Sequence, residues 1–452
     1  MKKITLLFLL LLLAAPACRQ VLEPEPVDLL VDELALNEPN DVGNVQTGLY
    51  NAFRGMAAPV VVAGDFTADL VLHRGTFTLY RELVTKQIRP SNGAVSALWG
   101  GIYNVAYAAN FILERLPTVS GVPAQQRREV TATARFLRGY AYFIGAYTYG
   151  GIPLVTTTSV PTNRNIPRST REEVLAFVLE DYQAALADLP EEPSGPGFAG
   201  KNAVRAALAR YYLYARDWPR AEQYATEVIN SGKYTLDENY EDVVLKDFPR
   251  ESILEVGYTL TDDPGTNDFG LNNLFLGRRE VIPSNQAVLA LLSDESGERV
   301  ETLGFDPNQL GGVDNGWSVR KYGTADEENN NIYVFRLAEM YLIRAEARAN
   351  RNNVAGTGSA TDDLNVLRAR AKAPLVNGVS GQAAMLRLVE QERVYELAYE
   401  GHRWYDLVRT SRAQPVLSAF SPNWQSTYEV WPIPLGETQR NPALRNDQNP
   451  GY

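Results

Sequence analysis

The sequence has little of the residues on which most enzyme active sites depend. Among its 452 residues there is one cysteine, Cys18, and there are two histidines, His73 and His402. One cysteine cannot form an internal disulfide bond. Two histidines leave almost nothing for a Ser-His-Asp arrangement or a histidine-based zinc site. The sequence also contains no phosphate-binding loop and no dinucleotide-binding glycine fingerprint. Chemistry of these kinds is therefore not expected.

Basic residues are also in the minority. Lysine and arginine total 43 against 54 aspartates and glutamates, which gives a formal net charge of −11 at pH 7. Nucleic acids and anionic membrane surfaces attract proteins through basic patches that neutralise phosphate. Neither is therefore expected as a partner. The shortage of an obvious basic pocket also argues against strongly acidic ligands such as sulfated glycans.

Long hydrophobic runs are absent except at the amino terminus. There, Lys2 and Lys3 precede twelve uncharged residues, 4–15, and a stretch of small residues then leads to Cys18. Twelve helical residues extend about 18 Å, well short of the roughly 30 Å hydrocarbon core of a membrane. The segment is therefore interpreted as a signal peptide and not as a membrane span.

The position of the cysteine makes this signal typical of a bacterial lipoprotein. The sequence predicts removal of residues 1–17, lipidation of Cys18, and a polar tether over residues 18–35 whose prolines favour extended backbone. The alternative is an ordinary secretory signal with a chance cysteine, because Ala15 and Pro16 depart from the residues usual before a lipidated cysteine.

Residues that begin and end helices are easily recognised in the middle of the chain. Thr170, followed three residues later by Glu173, forms a capping box, and apolar residues then recur with helical spacing until Pro190. Residues 202–231 fit the tetratricopeptide pattern of two helices, with the second opening at Pro219. Further candidate helical hairpins are residues 94–116 with 127–149, 333–350 with 362–372, and 383–412.

Three other regions are rich in Gly, Pro, Asn and Asp, with only short β-type runs: residues 55–93, 230–332 and 413–452. Helical repeats cannot bury their apolar faces alone and must stack on their neighbours. We therefore predict a mainly α fold, in which tetratricopeptide-like helical hairpins form a scaffold for long irregular loops and a few short β-strands. Loops of this length are expected to carry function.

Paired carboxylates are the one enzymatic option that the composition leaves open, because glycoside hydrolysis needs two of them about 5 to 10 Å apart. Glu392, Glu396 and Glu400 recur every four residues along one predicted helix. Arg393 and Arg403 lie close by in the sequence and can neutralise them. We interpret this group as a structural ion-pair network and expect no catalytic residues.

Two acidic turns offer oxygen ligands of the kind that calcium prefers, Asp262-Asp263 and residues 326–328. Neither has the spacing of a known calcium loop. We expect solvated turns there, no metal site and no cofactor.

Four stretches of the chain carry a family resemblance. They are residues 134–143 (ARFLRGYAYF) with 149–155 (YGGIPLV), 341–347 (YLIRAEA) with 364–370 (LNVLRAR), 392–409 (ERVYELAYEGHRWYDLVR), and 432–434 (PIP) with the terminal 441–452. Together they resemble the signatures of the SusD/RagB family. Their order and spacing hold to the last residue, so the resemblance covers essentially the entire chain.

The resemblance implies a mostly helical SusD-like domain over residues 36–452, with an N-terminal part of about 36–320 and a C-terminal part of about 321–452. It implies exposure on the outer membrane, as a lid on a SusC-like TonB-dependent transporter. The pair would import oligosaccharides or, in some members, peptides. The quoted motifs are signatures of the scaffold and not ligand contacts.

Sugar capture also suits the composition of the loops. The apolar face of a sugar ring rests on an aromatic surface, and its hydroxyls need carboxylate, amide and guanidinium partners. The loops offer Phe77, Tyr80 and Arg81, then Asp262, Asn267, Phe269 and Asn272, then Trp317, Arg320 and Tyr322. The predicted ligand-binding residues are Tyr80, Arg81, Asn267, Phe269, Trp317 and Arg320. Peptide binding, a carboxylate-pair glycosidase and a structural adaptor without a ligand site remain the alternatives.

Overall fold

The computed structural model describes residues 35–258, 270–323 and 330–452. The predicted lipidation site Cys18, the predicted ligand residues Asn267 and Phe269, and both acidic turns considered for calcium lie outside these ranges. Within them the protein is mainly helical, as the sequence predicts.

Helices and strands follow one another in the order of their numbers. The longer helices are α1 (Asp41–Val61), α3 (Gly93–Arg115), α4 (Ala124–Tyr149), α6 (Arg171–Asp188), α7 (Lys201–Tyr214), α8 (Trp218–Asn230), α11 (Leu337–Asn350), α12 (Ala360–Arg370) and α13 (Gln382–Glu396). The shorter helices are α2 (Thr78–Val84), α5 (Val160–Asn163), α9 (Tyr240–Leu245), α10 (Asn285–Leu291), α14 (Arg403–Arg409), α15 (Ala413–Phe420) and α16 (Leu435–Arg440). The strands are β1 (Val71–His73), β2 (Ser252–Val256), β3 (Val281–Pro283), β4 (Leu303–Phe305), β5 (Trp317–Val319) and β6 (Ile332–Arg336).

The strands pair in antiparallel twos, β1 with β3, β2 with β6, and β4 with β5. The first pair joins segments that are about 200 residues apart in the chain, since Val71 lies opposite Pro283 and His73 opposite Val281. This pairing brings the end of β1 next to the residues that precede β3.

Helices α3, α4 and α6 are tied together by one buried arginine. Arg138 on α4 donates two hydrogen bonds of 2.8 Å to Asp181 on α6 and one of 2.6 Å to Asn110 on α3. The bidentate geometry offsets the cost of removing this ion pair from water. The predicted capping box at the start of α6 is confirmed, because Thr170 Oγ1 accepts from the Glu173 N–H at 3.2 Å and the Glu173 carboxylate accepts from the Thr170 N–H at 2.8 Å.

Three predicted helical hairpins are confirmed as α3 with α4, α7 with α8, and α11 with α12, although residues 333–336 belong to strand β6 and not to a helix. Residues 383–412 form α13 and α14, but these two helices pack mainly on other elements and not on each other, and α13 ends at Glu396, so Glu400 lies beyond it. Between α7 and α8 the chain turns at Arg216, which has a φ of +57°. Asp217 then caps α8 by accepting from the Arg220 N–H at 3.1 Å. Helix α8 begins at Trp218, one residue before the proline that predicts it.

The interpretation of residues 55–93 as a loop is wrong for its first part. Helix α1 runs through Pro59 to Val61 and continues as a π-helical turn over Val62–Phe66. Gly55 and Pro59 read as helix breakers, but Met56 and Val61 are buried in the core, and this burial outweighs the local preferences. Short helices also interrupt the other two regions, namely α9, α10, α15 and α16.

The π-helical turn packs directly on the chain between α13 and α14. A Cβ added at Gly64 would lie 1.9 Å from the carbonyl oxygen of Gly401, so the two backbones touch. Next to this contact, Asp65 Oδ2 accepts the N–H of Gly401 at 2.6 Å. Only glycine at position 64 allows this approach.

We expect Gly64→Ala to destabilise the protein by at least about 1–3 kcal/mol, the usual cost of overpacking a rigid contact. Gly100→Ala is the matched control, because a Cβ at Gly100, within α3, would meet nothing within 4 Å. Alanine at an open helical site should stabilise by about 0.5–1 kcal/mol. The two variants should shift the urea midpoint in opposite directions, and a shift of the same sign would contradict the proposed contact.

Candidate ligand-binding surface

Two aromatic rings are paired across the β4–β5 hairpin. Trp317 opens β5 and lies opposite Phe305 at the end of β4. Their ring centroids are 4.8 Å apart, and Phe305 remains 50% exposed. Cross-strand aromatic pairs of this kind stabilise a hairpin. Here the pair also leaves flat apolar area at the surface.

Asp314, in the turn of the same hairpin, holds two arginines in place. Arg279 Nη2 lies 2.7 Å from Oδ1 of Asp314, and Arg74 Nε lies 3.0 Å from Oδ2. Arg279 also donates to the carbonyl oxygen of Trp317 at 3.1 Å. Burial raises the pKa of Asp314, but the hydrogen bonds from Arg279 and the Gly316 N–H, with the charges of both arginines, outweigh it and hold this pKa below its usual range.

Glu280 fixes the chain before α2 in the same way. Its carboxylate accepts the backbone N–H groups of Thr76 and Phe77 at 2.8 Å each, and it accepts from Arg278 Nε at 3.2 Å. The guanidinium of Arg278 lies 4.3 Å from the centre of the Phe77 ring. The main-chain oxygen of Arg278 accepts from Arg74 Nη1 at 3.2 Å, which connects this group to the hairpin.

We call these residues the aromatic–arginine surface: Arg74, Phe77, Arg278, Phe305 and Trp317. The side chains of Arg74 and Arg278 are 36% and 38% exposed, whereas those of Asp314 and Glu280 are 4% and 2% exposed. The carboxylates therefore lie beneath the guanidinium groups, Phe305 is exposed, and Phe77 and Trp317 are half-buried beside them. The expected shortage of basic groups does not hold at this surface.

Tyr80 and Arg81, both predicted as ligand residues on a loop, lie instead on helix α2. Arg81 is exposed. Tyr80 is only 4% exposed, and its ring packs against Phe66 with centroids 5.4 Å apart. Burial, and then the charge of Glu280, raise the pKa of Tyr80. Its remaining surface lines a cavity of about 860 Å³, together with Leu79, Arg54 and Tyr258.

Arg320, from the predicted set, and Tyr322 and Asn272, which the loops also offer, make scaffold contacts. Arg320 follows β5 and pairs with Glu301 at 2.7 Å and Glu241 at 3.3 Å. Tyr322 is buried, and its hydroxyl donates to the carbonyl oxygen of Tyr399 at 2.7 Å. The buried amide of Asn272 donates to the carbonyl oxygen of Gly323. Trp317 is thus the predicted residue that lies on the aromatic–arginine surface, and Arg320 as a ligand contact stays a prediction.

Sequence reasoning missed Arg74, Arg278, Arg279, Asp314 and Phe305. The available signal was the run Arg278-Arg279-Glu280 directly before a strand. This run does not indicate which segment of the chain it will contact, because local periodicity does not predict the pairing of β1 with β3.

The interpretation of Glu392, Glu396 and Glu400 as a structural ion-pair network is confirmed. All three are buried. Their partners are Arg299 and Arg368 for Glu392, Arg299, Arg336 and Arg370 for Glu396, and Arg336 and Lys321 for Glu400. Burial raises the pKa of Glu396, but the charges of Arg370, Arg299 and Arg336 outweigh it and hold that pKa well below its usual range.

The partners proposed from sequence proximity are wrong. Arg393 pairs with Asp406 at 2.7 Å, and Arg403 pairs with Asp69 at 2.8 Å. Successive helical residues point in different directions, so Arg393 cannot face the same partners as its neighbour Glu392.

The described part of the chain holds no group of three or more His, Cys, Asp or Glu side chains able to bind a metal ion. None of the helices in residues 35–258, 270–323 and 330–452 has the length and hydrophobicity needed to cross a bilayer.

The protein is thus a scaffold of helical hairpins that carries the exposed ring of Phe305 and the arginines of the aromatic–arginine surface on short hairpins and turns. Residues 36–213 match the family model described as "Starch-binding associating with outer membrane", and residues 311–452 match the one described as "SusD family". The chain belongs to the SusD/RagB family. This family consists of binding proteins without catalytic activity, which confirms the expectation that the chain is not an enzyme.

Several known proteins are similar along most of the chain. SusD-like protein P38 of Formosa agariphila is 25% identical over 99% of this chain and 98% of its own length. The starch-binding protein SusD of Bacteroides thetaiotaomicron is 24% identical over 76% of each chain. The solved structure of a laminarin-binding SusD-like protein superimposes with a TM-score of 0.79 at 24% identity, covering 92% of this chain and all of that one.

Proposed function

We propose that the protein captures oligosaccharides through the aromatic–arginine surface. The observation that carries this proposal is the connection of Phe77 and Trp317, through Arg278, Arg74, Asp314 and Arg279, into one surface of rings and guanidinium groups. A ring supports the C–H face of a sugar, and a guanidinium donates to its hydroxyl oxygens. Because buried carboxylates hold the arginines in position, little side-chain entropy is lost when a ligand binds.

The relatives support a glycan as the ligand class. One curated relative is named as starch-binding, and one solved relative is named as laminarin-binding. Both names denote glucose polymers with different linkages, so they favour an oligosaccharide without choosing among glycans.

We further propose that the mature protein is a surface lipoprotein that delivers its ligand to a SusC-like TonB-dependent transporter. The description of the family model as associating with the outer membrane supports this location. In this proposal residues 1–17 are removed, Cys18 carries the lipid, residues 18–35 form the tether, and residues 36–452 form one SusD-like domain.

The test is isothermal titration of the purified protein with oligosaccharides of α-glucan, β-glucan and uronate type, with their monomers, and with unrelated peptides. We expect the protein to bind one class of oligosaccharide and to have little affinity for the corresponding monomer, since a single sugar ring covers too little of the aromatic area. Trp317→Ala and Phe77→Ala should each weaken binding about tenfold or more, as for aromatic contacts at the centre of an interface.

Tyr341→Ala is the matched control, because Tyr341 is a half-buried aromatic residue on α11, outside the aromatic–arginine surface. It should leave the affinity unchanged. Peptide binding without oligosaccharide binding would replace the proposed ligand class. Cleavage of the glycan, or unchanged affinity in both surface variants, would refute the proposal.

A further inference from the structure

Positive charge is concentrated at the aromatic–arginine surface, although the protein as a whole carries a net charge of −11. Three arginines, Arg74, Arg278 and Arg279, contact two buried carboxylates, Asp314 and Glu280. Three positive charges against two negative charges leave one positive charge without a counter-charge. An excess of one sign of charge raises the local concentration of ligands of the opposite sign.

Arg81 adds a further positive charge at the same place. It lies on helix α2, four residues after Phe77, and is exposed. Burial lowers the pKa of His73, and the charge of Arg81 lowers it further. The charge of Glu280 and a hydrogen bond with the backbone of Phe77 act in the opposite direction. His73 ends β1 directly before Arg74, so the charge of Arg81 acts at the same end of this strand as Arg74 does.

Two further carboxylates next to these residues have partners of their own. Glu82 on α2 accepts from Asn92 Nδ2 at 2.9 Å and lies 3.7 Å from Arg89 Nε. Asp306 in the β4–β5 hairpin accepts the backbone N–H of Asn308 at 2.9 Å and its side-chain amide at 3.0 Å. With these residues and Arg89 included, the region holds five arginines and four carboxylates, so the local excess stays positive.

Arg74 and Arg278 are held by buried carboxylates, and both side chains are more than a third exposed. Arg74 Nε lies 3.0 Å from Asp314 Oδ2. In the same way, Arg278 Nε lies 3.2 Å from Glu280 Oε1. Arg74 Nη1 donates to the main-chain oxygen of Arg278 at 3.2 Å, and within the described residues its Nη2 donates no hydrogen bond. A ligand at the surface can therefore use a donor of Arg74 without breaking the contacts that hold this side chain.

An arginine beside an aromatic ring favours a sugar that carries a negative charge. Cζ of Arg278 lies 4.3 Å from the centre of the Phe77 ring, so one ligand can contact the ring and the cation together. A neutral sugar accepts hydrogen bonds from arginine, but only an anionic group also compensates the excess positive charge. The planar guanidinium group matches the oxygens of such a group in geometry as well as in charge.

We infer that the oligosaccharide captured at the aromatic–arginine surface is anionic, and that Arg74 and Arg278 bind its charged group. This glycan class rests on the proposed function, because it concerns the same surface. A uronic acid supplies the charged group as a carboxylate on the sugar ring, and a sulfated sugar supplies it as an ester. In both cases an oxyanion lies beside the apolar C–H face of the ring, which is the chemistry that the surface recognises.

Isothermal titration with matched pairs of ligands tests this inference. Oligomers of galacturonate, mannuronate and glucuronate are each compared with their methyl esters, and sulfated galactan oligosaccharides are compared with their desulfated forms. We expect one anionic oligosaccharide to bind at least about tenfold more tightly than its uncharged counterpart, and its type identifies the source of the charge. Its affinity should fall when the ionic strength is raised from about 0.01 M to about 1 M, because salt screens the attraction.

Arg74→Gln and Arg278→Gln each remove one positive charge from the surface, and each should weaken binding of that oligosaccharide at least about tenfold. In the first variant Asp314 keeps its contact with Arg279 at 2.7 Å, so the hairpin should still fold. Arg351→Gln is the matched control, because it removes the same charge from an exposed arginine at the end of α11. It should bind the oligosaccharide as the wild type does.

Equal affinity for an anionic oligosaccharide and its uncharged counterpart, or unchanged affinity in both arginine variants of the surface, would overturn this inference. Binding of a neutral glucan alone, weakened by Trp317→Ala, would also overturn it but would leave the proposed function standing. If no glycan of any class binds, both the anionic ligand and the proposed function are refuted.

Discussion

Replacing Arg336 by methionine is expected to destabilise the protein by about 3–5 kcal/mol, the cost of breaking a buried ion pair by removing one partner. Arg336 has a side chain only 1% exposed and contacts three carboxylates, Glu251 at 2.7 Å, Glu396 at 2.7 Å and Glu400 at 2.8 Å. Methionine fills a similar volume without charge. The loss of unfolding free energy therefore measures the effect of buried carboxylates left without this partner, and not the effect of a cavity.

The pH dependence of this loss follows from the pKa of Glu396. The folded state lowers that pKa below the unfolded value, so the pairing stabilises the protein above about pH 4.5 and the stabilisation is lost as the pH falls further. Without Arg336 the pKa of Glu396 should rise towards its ordinary value. The difference in unfolding free energy between wild type and Arg336→Met should therefore narrow when unfolding by guanidinium chloride is measured again below pH 4.5.

Arg351→Met is the matched control for this prediction. The side chain of Arg351 is 48% exposed and its pair with Glu222 lies at the surface, so its removal should cost less than about 1 kcal/mol. Equal losses in the two variants would show that the buried network contributes no more than a surface pair. A difference between wild type and Arg336→Met that widens at acid pH would contradict the role assigned to the ionised Glu396.

The helical scaffold was predictable because its signals are local. The capping box of Thr170 and Glu173 and the turn before Pro219 are both defined within a few residues, and both are confirmed. The prediction failed at Gly55 and Pro59, where buried neighbours keep helix α1 intact against the local preference of those residues. Sequence-based prediction of the helix fails at these positions because tertiary packing overrides the local preference.

The candidate surface was predictable only in part, because its residues meet through long-range pairing. Trp317 stands out as an aromatic residue in a polar region, and it lies on the surface. Arg74 and Asp314 are 240 residues apart in the chain, and their 3.0 Å contact depends on how β1 and the β4–β5 hairpin are placed. Tyr80 lies buried on helix α2 and not on a loop, because aromatic character cannot distinguish a core ring from an exposed one, and its role as a ligand contact stays a prediction.

Replacing Cys18 by serine is expected to move the protein from the membrane fraction to the soluble fraction almost completely. In the proposed anchor, acyl chains on Cys18 contribute about 0.8 kcal/mol for each buried CH₂ group, and two or more chains are needed for stable attachment. The experiment belongs in cells that lack the transporter, because a SusC-like partner would retain the protein without any lipid.

The measurement is the distribution of the protein after a high-salt wash of membranes, together with the mass of its amino-terminal peptide. Val21→Ser is the matched control, because it changes the same segment and leaves the cysteine in place. It should remain with the membranes and carry the mass of the lipid. A wild-type protein found soluble in the periplasm would favour an ordinary secretory signal with a chance cysteine. A Cys18→Ser protein that resists the wash would mean that another segment attaches the chain, and the helical scaffold would then be held at the surface by contacts of its own.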